Sequence, residues 1–207
     1  MFRVQISEPH RELALLKDIE KLSLTTDTTS TKVRAFYERN PYPRWIRASV
    51  PPRHFTLEEY VDAKSLFLTT PAPADHFKLN ILVAGCGTGQ QSIEIALNFP
   101  HAKVIAVDIS SASLSYAKRK SDELGISNID YKQCDILELH RLNESFDVVY
   151  SSGVLHHMLD PMNGWRHLTE VLKPLGLMNI GLYSSTARQH ISRFRENLNI
   201  TNESLED

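Results

Sequence analysis

The chain has 207 residues, of which 42% are hydrophobic and 23% are charged, and its formal net charge is -2 at pH 7. This length suffices for one hydrophobic core with an appended arm. The nearly neutral charge argues against a broad nucleic-acid surface, and no run of residues approaches the roughly 20 apolar residues of a membrane span.

The N-terminal residues do not match a targeting sequence. They lack the apolar stretch of a secretory signal, and the acids Glu8, Glu12 and Asp18 argue against a transit peptide. Neither Cys86 nor Cys134 has a companion at metal-ligand spacing, so we expect reduced thiols and no metal site. These features predict a cytoplasmic protein that does not cross a membrane.

Three helices are predicted in the N-terminal part of the chain. The first covers residues 9–24, and the polar run TTDTTSTK after it predicts a flexible joint. The second covers residues 30–39, with Ser30 or Thr31 as its cap, and the third covers residues 56–68. The apolar side of the first helix is predicted to hold Leu13, Leu16, Ile19 and Leu24.

The segment NPYPRW, residues 40–45, is predicted to be a rigid and extended turn. Its two prolines fix their own backbone angles and bias the preceding residues away from helix. Tyr42 and Trp45 are therefore held as directed side chains. Two roles stay open for them, either packing against the protein or closing over a ligand.

From Lys78 onward, short apolar runs alternate with helical segments. This alternation predicts an α/β domain over residues 78–207, with a parallel sheet covered by helices on both faces, preceded by a helical arm over residues 1–77. The predicted strands are ILVAG, KVIAVDIS, IDYKQC, FDVVYSS and LMNIGLYS, and the predicted helices lie near 90–98, 111–124, 162–172 and 186–198.

A glycine-rich segment follows the first of these strands. Gly85, Gly87 and Gly89 allow a tight turn, and the free N–H groups at the start of the next helix favour polar or anionic groups. Asp108 ends the following strand about 20 residues later, where a carboxylate can accept hydrogen bonds from ribose hydroxyls. Both features are expected at the same edge of the sheet.

Two more strand ends converge on this edge. Asp135 can accept a hydrogen bond from an adenine amino group, while Ile109 and Ile136 offer apolar faces to the ring. The fourth strand ends in SSGVLHHM, which places Ser151 and Gly153 beside the glycine loop. The sequence therefore predicts one nucleotide-binding cleft.

Taken together, ILVAGCGTGQ, the strand ending VDIS, the CDI element and FDVVYSSGVLHHM resemble the motifs of class I S-adenosylmethionine-dependent methyltransferases. The resemblance covers residues 78–185 and implies a Rossmann-like three-layer sandwich that transfers a methyl group from S-adenosylmethionine. NAD enzymes more often carry GxGxxG, whose third glycine would fall at Gln90. The segment VRAFYERNPYPRW is similar to the one preceding such domains in proteins that also carry tetratricopeptide repeats.

The resemblance also implies which residues contact the cofactor. The glycines would face its methionine part, Asp108 its ribose, and Asp135 with Ile136 its adenine. The residues implied are Gly85, Cys86, Gly87, Gly89, Gln90, Asp108, Ile109, Asp135, Ile136, Ser151 and Gly153.

Candidate catalytic groups come from the fourth strand and from the arm. His156 and Tyr42 are candidate general bases, although a histidine that only forms part of the wall is the commoner case. A base is optional, since methyl transfer chiefly requires alignment of nucleophile, methyl group and sulfur. The acceptor, a small molecule or a protein, is not identified.

Two features depart from the family pattern. Val83 stands where many members carry an acid two positions before the first glycine, so the cofactor's ammonium needs backbone carbonyls or another carboxylate. No candidate is found for the usual C-terminal strand hairpin, so we expect a truncated chain whose last strand is an open edge suited to self-association. The alternatives are an inactive protein-interaction module and, on the shared fold alone, an NAD-dependent oxidoreductase.

Overall fold

The structure, a computed structural model, describes residues 3–22, 26–48, 54, 56–63, 78–184, 186–187, 189–190 and 194. Its strands are β1 (Glu20–Lys21), β2 (Asn80–Ala84), β3 (Lys103–Asp108), β4 (Ile129–Gln133), β5 (Phe146–Ser152) and β6 (Leu172–Gly181). Its α-helices are α1 (Glu8–Leu15), α2 (Thr28–Arg39), α3 (Leu57–Ala63), α4 (Gln90–Asn98), α5 (Ser111–Glu123) and α6 (Pro161–Glu170). Shorter helical turns cover Arg3–Ser7, Leu16–Asp18, Ile136–Leu142 and Leu155–His157.

The six strands form one sheet in the order β1-β4-β3-β2-β5-β6, and every recorded pairing is parallel. Successive side chains of β2 enter opposite cores because a strand alternates its faces. Ile81 and Val83 pack with Leu114 of α5 on one side, whereas Leu82 packs with Leu168 of α6 on the other. Helices thus cover both faces of the sheet, which confirms the predicted Rossmann-like three-layer fold.

The first predicted helix is wrong beyond its first half. Helix α1 ends at Leu15, a single turn follows, and β1 then joins the edge of the sheet with Glu20 opposite Lys132 of β4. The predicted apolar side is also wrong at Leu13, which is 65% exposed, while Glu12 is buried. Ile19 is buried as predicted, and Leu24 lies outside the described residues.

The burial of Glu12 has a clear cause in Arg119 of α5, whose side chain is 1% exposed. The guanidinium Nε donates to Glu12 at 2.9 Å, Nη1 donates to Glu123 at 2.7 Å, and Nη2 lies 3.3 Å from Glu8. A buried cation needs such partners, because desolvating it alone costs several kcal/mol. This ion cluster fixes α1 against α5.

Helix α2 begins earlier than predicted because its cap is Asp27, not Ser30 or Thr31. The Asp27 carboxylate accepts a hydrogen bond from the Ser30 N–H at 2.7 Å. A carboxylate in this position satisfies an N–H that has no partner within the helix. The polar run predicted as a flexible joint therefore supplies the first turn of α2.

The predicted strands after residue 78 and the predicted helices near 90–98, 111–124 and 162–172 are present with shifted ends. Strand β6 begins at Leu172 instead of 177, because α6 ends at Glu170 and the chain turns at once into the sheet. Within the described part of the chain, β6 is the outer strand on its side of the sheet. Residues 64–68 of the third predicted helix and most of residues 186–198 lie outside the described ranges.

The predicted boundary between residues 77 and 78 borders an undescribed stretch and stays a prediction. None of the helices in the described ranges has the length and apolar character needed to cross a membrane.

Candidate functional site

A cavity of about 510 Å³ opens at the carboxyl ends of β2, β3, β4 and β5. Parallel strands bring their loops to one edge, so residues distant in sequence meet there. Most of the predicted cofactor residues line this cavity, namely Gly85, Cys86, Gly87, Gln90, Asp108, Ile109, Asp135, Ile136 and Gly153.

Three predicted residues do not line the cavity, and each has a physical reason. Gly89 begins α4 with φ +83°, and an added Cβ would lie 2.4 Å from Cβ of Ala117, so this glycine permits close packing of α4 on α5. Ser151 points into the protein, and Ser152 lines the cavity instead, as expected from strand alternation. His156 packs on Tyr183, and His157 lines the cavity instead.

Gly85 and Gly87, the other two glycines of the loop, are suited to their positions for different reasons. At Gly85, φ is +73° and a Cβ would lie 2.3 Å from Cγ2 of Val154, so packing alone excludes a side chain. At Gly87, φ is +53°, and the nearest neighbour of an added Cβ is the carbonyl of Tyr42 at 3.5 Å. The backbone at Gly87 is therefore open to close approach by a ligand.

Asp108 joins the glycine loop to β3. Its carboxylate accepts hydrogen bonds from the N–H of Gly87 at 2.8 Å and of Ser110 at 2.9 Å. Burial raises the pKa of this carboxyl, and the hydrogen bonds from Ser110 and Gly87 oppose the shift. Each carboxylate oxygen has two lone pairs, so Asp108 retains capacity to accept from a ligand.

Asp135 caps the helical turn after β4. One carboxylate oxygen accepts from the Leu137 N–H at 3.0 Å, and the residue is 3% exposed. The adjacent Ile136 is buried and belongs to the core beneath the sheet, yet both residues reach the cavity wall. An acceptor beside an apolar surface is suited to the edge and face of an aromatic base.

The N-terminal arm supplies a wall of the cavity that the sequence analysis did not predict. Ser30, Val33 and Tyr37 of α2 line it together with Tyr42 and Pro43. The first three lie three and four positions apart and so share one helix face. The spacing of these three residues could have predicted the shared face. Phe36 made the pattern hard to recognise, because a large apolar residue is expected to be buried and this one is 55% exposed.

The arm is fixed to the glycine loop at Thr88. The Thr88 hydroxyl donates to the Pro43 carbonyl at 2.5 Å, and Nε1 of Trp45 donates to the Thr88 carbonyl at 3.0 Å. Tyr116 of α5 donates its hydroxyl to the Trp45 carbonyl. Trp45 is therefore buried packing, whereas Tyr42 is 71% exposed and lines the cavity, and its closing over a ligand stays a prediction.

Two adjacent histidines follow β5 in different environments. His157 lines the cavity, and its ring centroid lies 6.4 Å from that of Tyr37. Burial lowers the pKa of His157, which favours the neutral imidazole near pH 7. The ring of His156 packs on Tyr183, with centroids 3.8 Å apart.

The charge of the cavity wall is one-sided. Its described residues include three carboxylates, Glu94, Asp108 and Asp135, and no lysine or arginine. A ligand that carries positive charge is favoured there, while an anionic one gains no paired cation from this wall.

Comparison with known proteins identifies relatives of this chain. Residues 75–206 match the family described as "Methyltransferase domain". Trans-aconitate 2-methyltransferase of Deinococcus radiodurans is 35% identical over 96 residues, which is 46% of this chain and 34% of that protein. Ubiquinone biosynthesis O-methyltransferase of Cereibacter sphaeroides is 34% identical over 111 residues, covering 54% of this chain and 43% of that protein.

A longer match includes the arm. An uncharacterized protein of Synechococcus is 30% identical over 171 residues, or 82% of this chain and 41% of that protein. A match of this length does not fit within residues 75–206, so it includes part of the arm. The chain spans less than half the length of each of these three relatives.

Solved structures share the fold. PKMT2 of Rickettsia typhi has a TM-score of 0.59 at 22% identity, covering 75% of this chain and 31% of that one. Magnesium protoporphyrin IX methyltransferase of Synechocystis, solved with bound S-adenosylmethionine, has a TM-score of 0.51 at 21% identity, covering 73% and 75%. At these identities the likeness shows a common fold.

Proposed function

This chain belongs to the methyltransferase domain family, and we propose that it transfers a methyl group from S-adenosylmethionine to an acceptor at the described cavity. The observation that carries the proposal is the meeting of the glycine loop, Asp108 and Asp135 around one space of about 510 Å³. S-adenosylmethionine supplies an electrophilic methyl group on a positively charged sulfur. The protein must bind it, align the acceptor and exclude water.

The residues of the cavity fit this cofactor. The open backbone at Gly87 accommodates close approach of its methionine part, and Asp108 has lone pairs for the ribose hydroxyls. Asp135 accepts from the adenine amino group, while Ile109 and Ile136 contact the faces of the ring. Gly85 and Cys86 complete the loop.

The charge of the wall favours this cofactor over a nicotinamide dinucleotide. S-adenosylmethionine carries a net positive charge near neutral pH, which the acids Glu94, Asp108 and Asp135 complement. The diphosphate of NAD is anionic and would meet no lysine or arginine among the described lining residues. The oxidoreductase alternative is therefore disfavoured on the same geometry that supports methyl transfer.

His157 takes the role that the sequence analysis gave to His156. Its neutral imidazole lies at the cavity and accepts a proton from an oxygen or nitrogen acceptor as the methyl group arrives. Tyr42, the other candidate base, also lines the cavity from the arm and remains part of the proposal. Ser152 and Gly153 line the mouth between these residues and the loop.

The acceptor is a small molecule or a protein group, and the chain acts in the cytoplasm with both cysteines reduced. Cys86 and Cys134 are buried free thiols, which supports this location. We also propose that the arm is related to segments associated with tetratricopeptide repeats. The chain is proposed to self-associate through the outer edge of β6. The methyl donor is the part of the proposal that is tested first.

The test is calorimetric titration with S-adenosylmethionine, S-adenosylhomocysteine and NAD. We expect binding of the first two and none of NAD, and Asp108→Ala should abolish it. The matched control is Asp130→Ala, an exposed aspartate on β4, which should bind like the wild type. A folded wild-type chain that binds neither sulfur ligand would refute the proposal and favour the interaction module.

A further inference from the structure

Glu94 lines the cavity but has no role in the function proposed above. It lies on α4 one helical turn beyond Gln90, and residues four apart share a helix face. Gln90 and Gln91 line the cavity as well, so this face of α4 forms a polar wall next to the glycine loop. The side chain of Glu94 is partly buried there.

The three carboxylates of the cavity differ in how they are engaged. Asp108 accepts from the N–H groups of Gly87 and Ser110, and Asp135 accepts from that of Leu137. The Glu94 carboxylate makes no hydrogen bond or ion pair with the described residues, and only its backbone carbonyl accepts, from Asn98. Glu94 is thus the cavity acid whose charge the described protein groups leave uncompensated.

The methionine part of S-adenosylmethionine ends in an ammonium group with three donors. A cation placed in a partly buried cavity requires a charged or strongly polar acceptor. Val83, two positions before the first glycine, cannot serve, because it is 1% exposed in the core and apolar. The ammonium therefore needs backbone carbonyls or a carboxylate from another element that faces the same space.

Resting on the proposed function, we propose that Glu94 binds the ammonium group of S-adenosylmethionine. A Glu94 carboxylate in this role satisfies the cation that Val83 leaves without an acid, and it occupies the next turn of the helix that the glycine loop begins. Asp108 remains the partner of the ribose. The amino acid part and the ribose of the cofactor are then held by different acids on successive elements, α4 and β3.

The test uses ligands that differ in the amino acid part. S-adenosylhomocysteine carries the ammonium, its desamino analogue lacks only that group, and 5′-methylthioadenosine lacks the whole amino acid. Calorimetry on Glu94→Gln should show about tenfold to hundredfold weaker binding of S-adenosylhomocysteine, the range for losing a hydrogen bond to a charged group. Binding of methylthioadenosine should not change, and Glu58→Gln, an exposed glutamate of α3, should match the wild type for every ligand.

The wild-type chain gives a second measurement that does not depend on a variant. We expect it to bind the desamino analogue at least about tenfold more weakly than S-adenosylhomocysteine. Equal affinities would overturn the role of Glu94, as would a Glu94→Gln variant that keeps full affinity or loses methylthioadenosine equally. A wild type that binds none of the three ligands instead refutes the methyl-donor site itself, so the two failures are distinguishable.

Discussion

The indole Nε1 of Trp45 donates a hydrogen bond to the carbonyl oxygen of Thr88 over 3.0 Å. Because the hydroxyl of Thr88 also donates to Pro43, the arm holds this loop residue at two atoms. The glycine loop and the part of the arm that lines the cavity are therefore held together. This connection has consequences for both stability and binding.

Replacing Trp45 by phenylalanine removes the donor and leaves a buried carbonyl without it. We expect the free energy of unfolding to fall by about 1–3 kcal/mol, with weaker binding of S-adenosylhomocysteine. The control is Trp165→Phe, because Trp165 lies at the surface of α6 away from the cavity. Urea denaturation followed by circular dichroism compares the two, and equal losses would argue against a stabilising contact at Thr88.

Replacing Arg119 by methionine breaks the ion cluster that fixes α1 to α5. The buried acid Glu12 would lose this counterion and keep Arg44, whose Nη2 lies 3.1 Å away, so we expect a loss of about 3 kcal/mol. Lys118→Met on the same helix removes a partly exposed cation that pairs with Asp122, and it should cost about 1 kcal/mol or less. Denaturation midpoints measure the difference, and similar values for both would contradict the importance of burial.

A side chain at Gly85 would cost stability in two ways, by a steric clash and by backbone strain. The two costs can be measured separately. Gly125 has a similar φ of +69° with no atom within 4 Å of an added Cβ, so Gly125→Ala should cost only the backbone strain, about 1–2 kcal/mol. Gly85→Ala should cost about 1–3 kcal/mol more, because the new methyl group meets Val154. Adding Val154→Ala to Gly85→Ala should recover part of that excess, and no recovery would assign the whole loss to the backbone.

The environment of His157 predicts how it titrates. Burial lowers its pKa, so its imidazole should titrate below 6.5 in a histidine NMR experiment, with His157→Asn identifying the signal. The unfolded chain protonates first as the pH falls, so the stability linked to His157 is present above pH 6.5 and is lost as the pH falls through its lowered pKa. A signal titrating above 6.5 would contradict the lowered pKa.

The sequence was a good guide where the chemistry is local. The β2 run and the glycines after it, followed by Asp108 at the end of β3, predict a site at one sheet edge, because parallel strands must end together. The alternation of side chains along β5 could have predicted that Ser152, and not Ser151, lies at the cavity.

The features that the sequence did not predict depend on contacts between residues that are far apart in the chain. Nothing near Glu12 in the sequence indicates that it is buried, because its partner Arg119 lies on a distant helix. Strand β1 has two residues, too few to show a period, and it forms only because β4 offers it an edge. The arm's share of the cavity depends on such contacts and not on any motif within it.

Glu12 and Arg119 are 107 positions apart, so during synthesis α1 leaves the ribosome long before its partner helix exists. Contacts at such separation form late, because the intervening chain must first be brought together. Until α5 is made and folded, the acid on α1 remains hydrated and α1 cannot dock on its partner helix. The ligand cavity is then among the last features of the nascent protein to be completed, which makes ligand binding a reporter of finished folding.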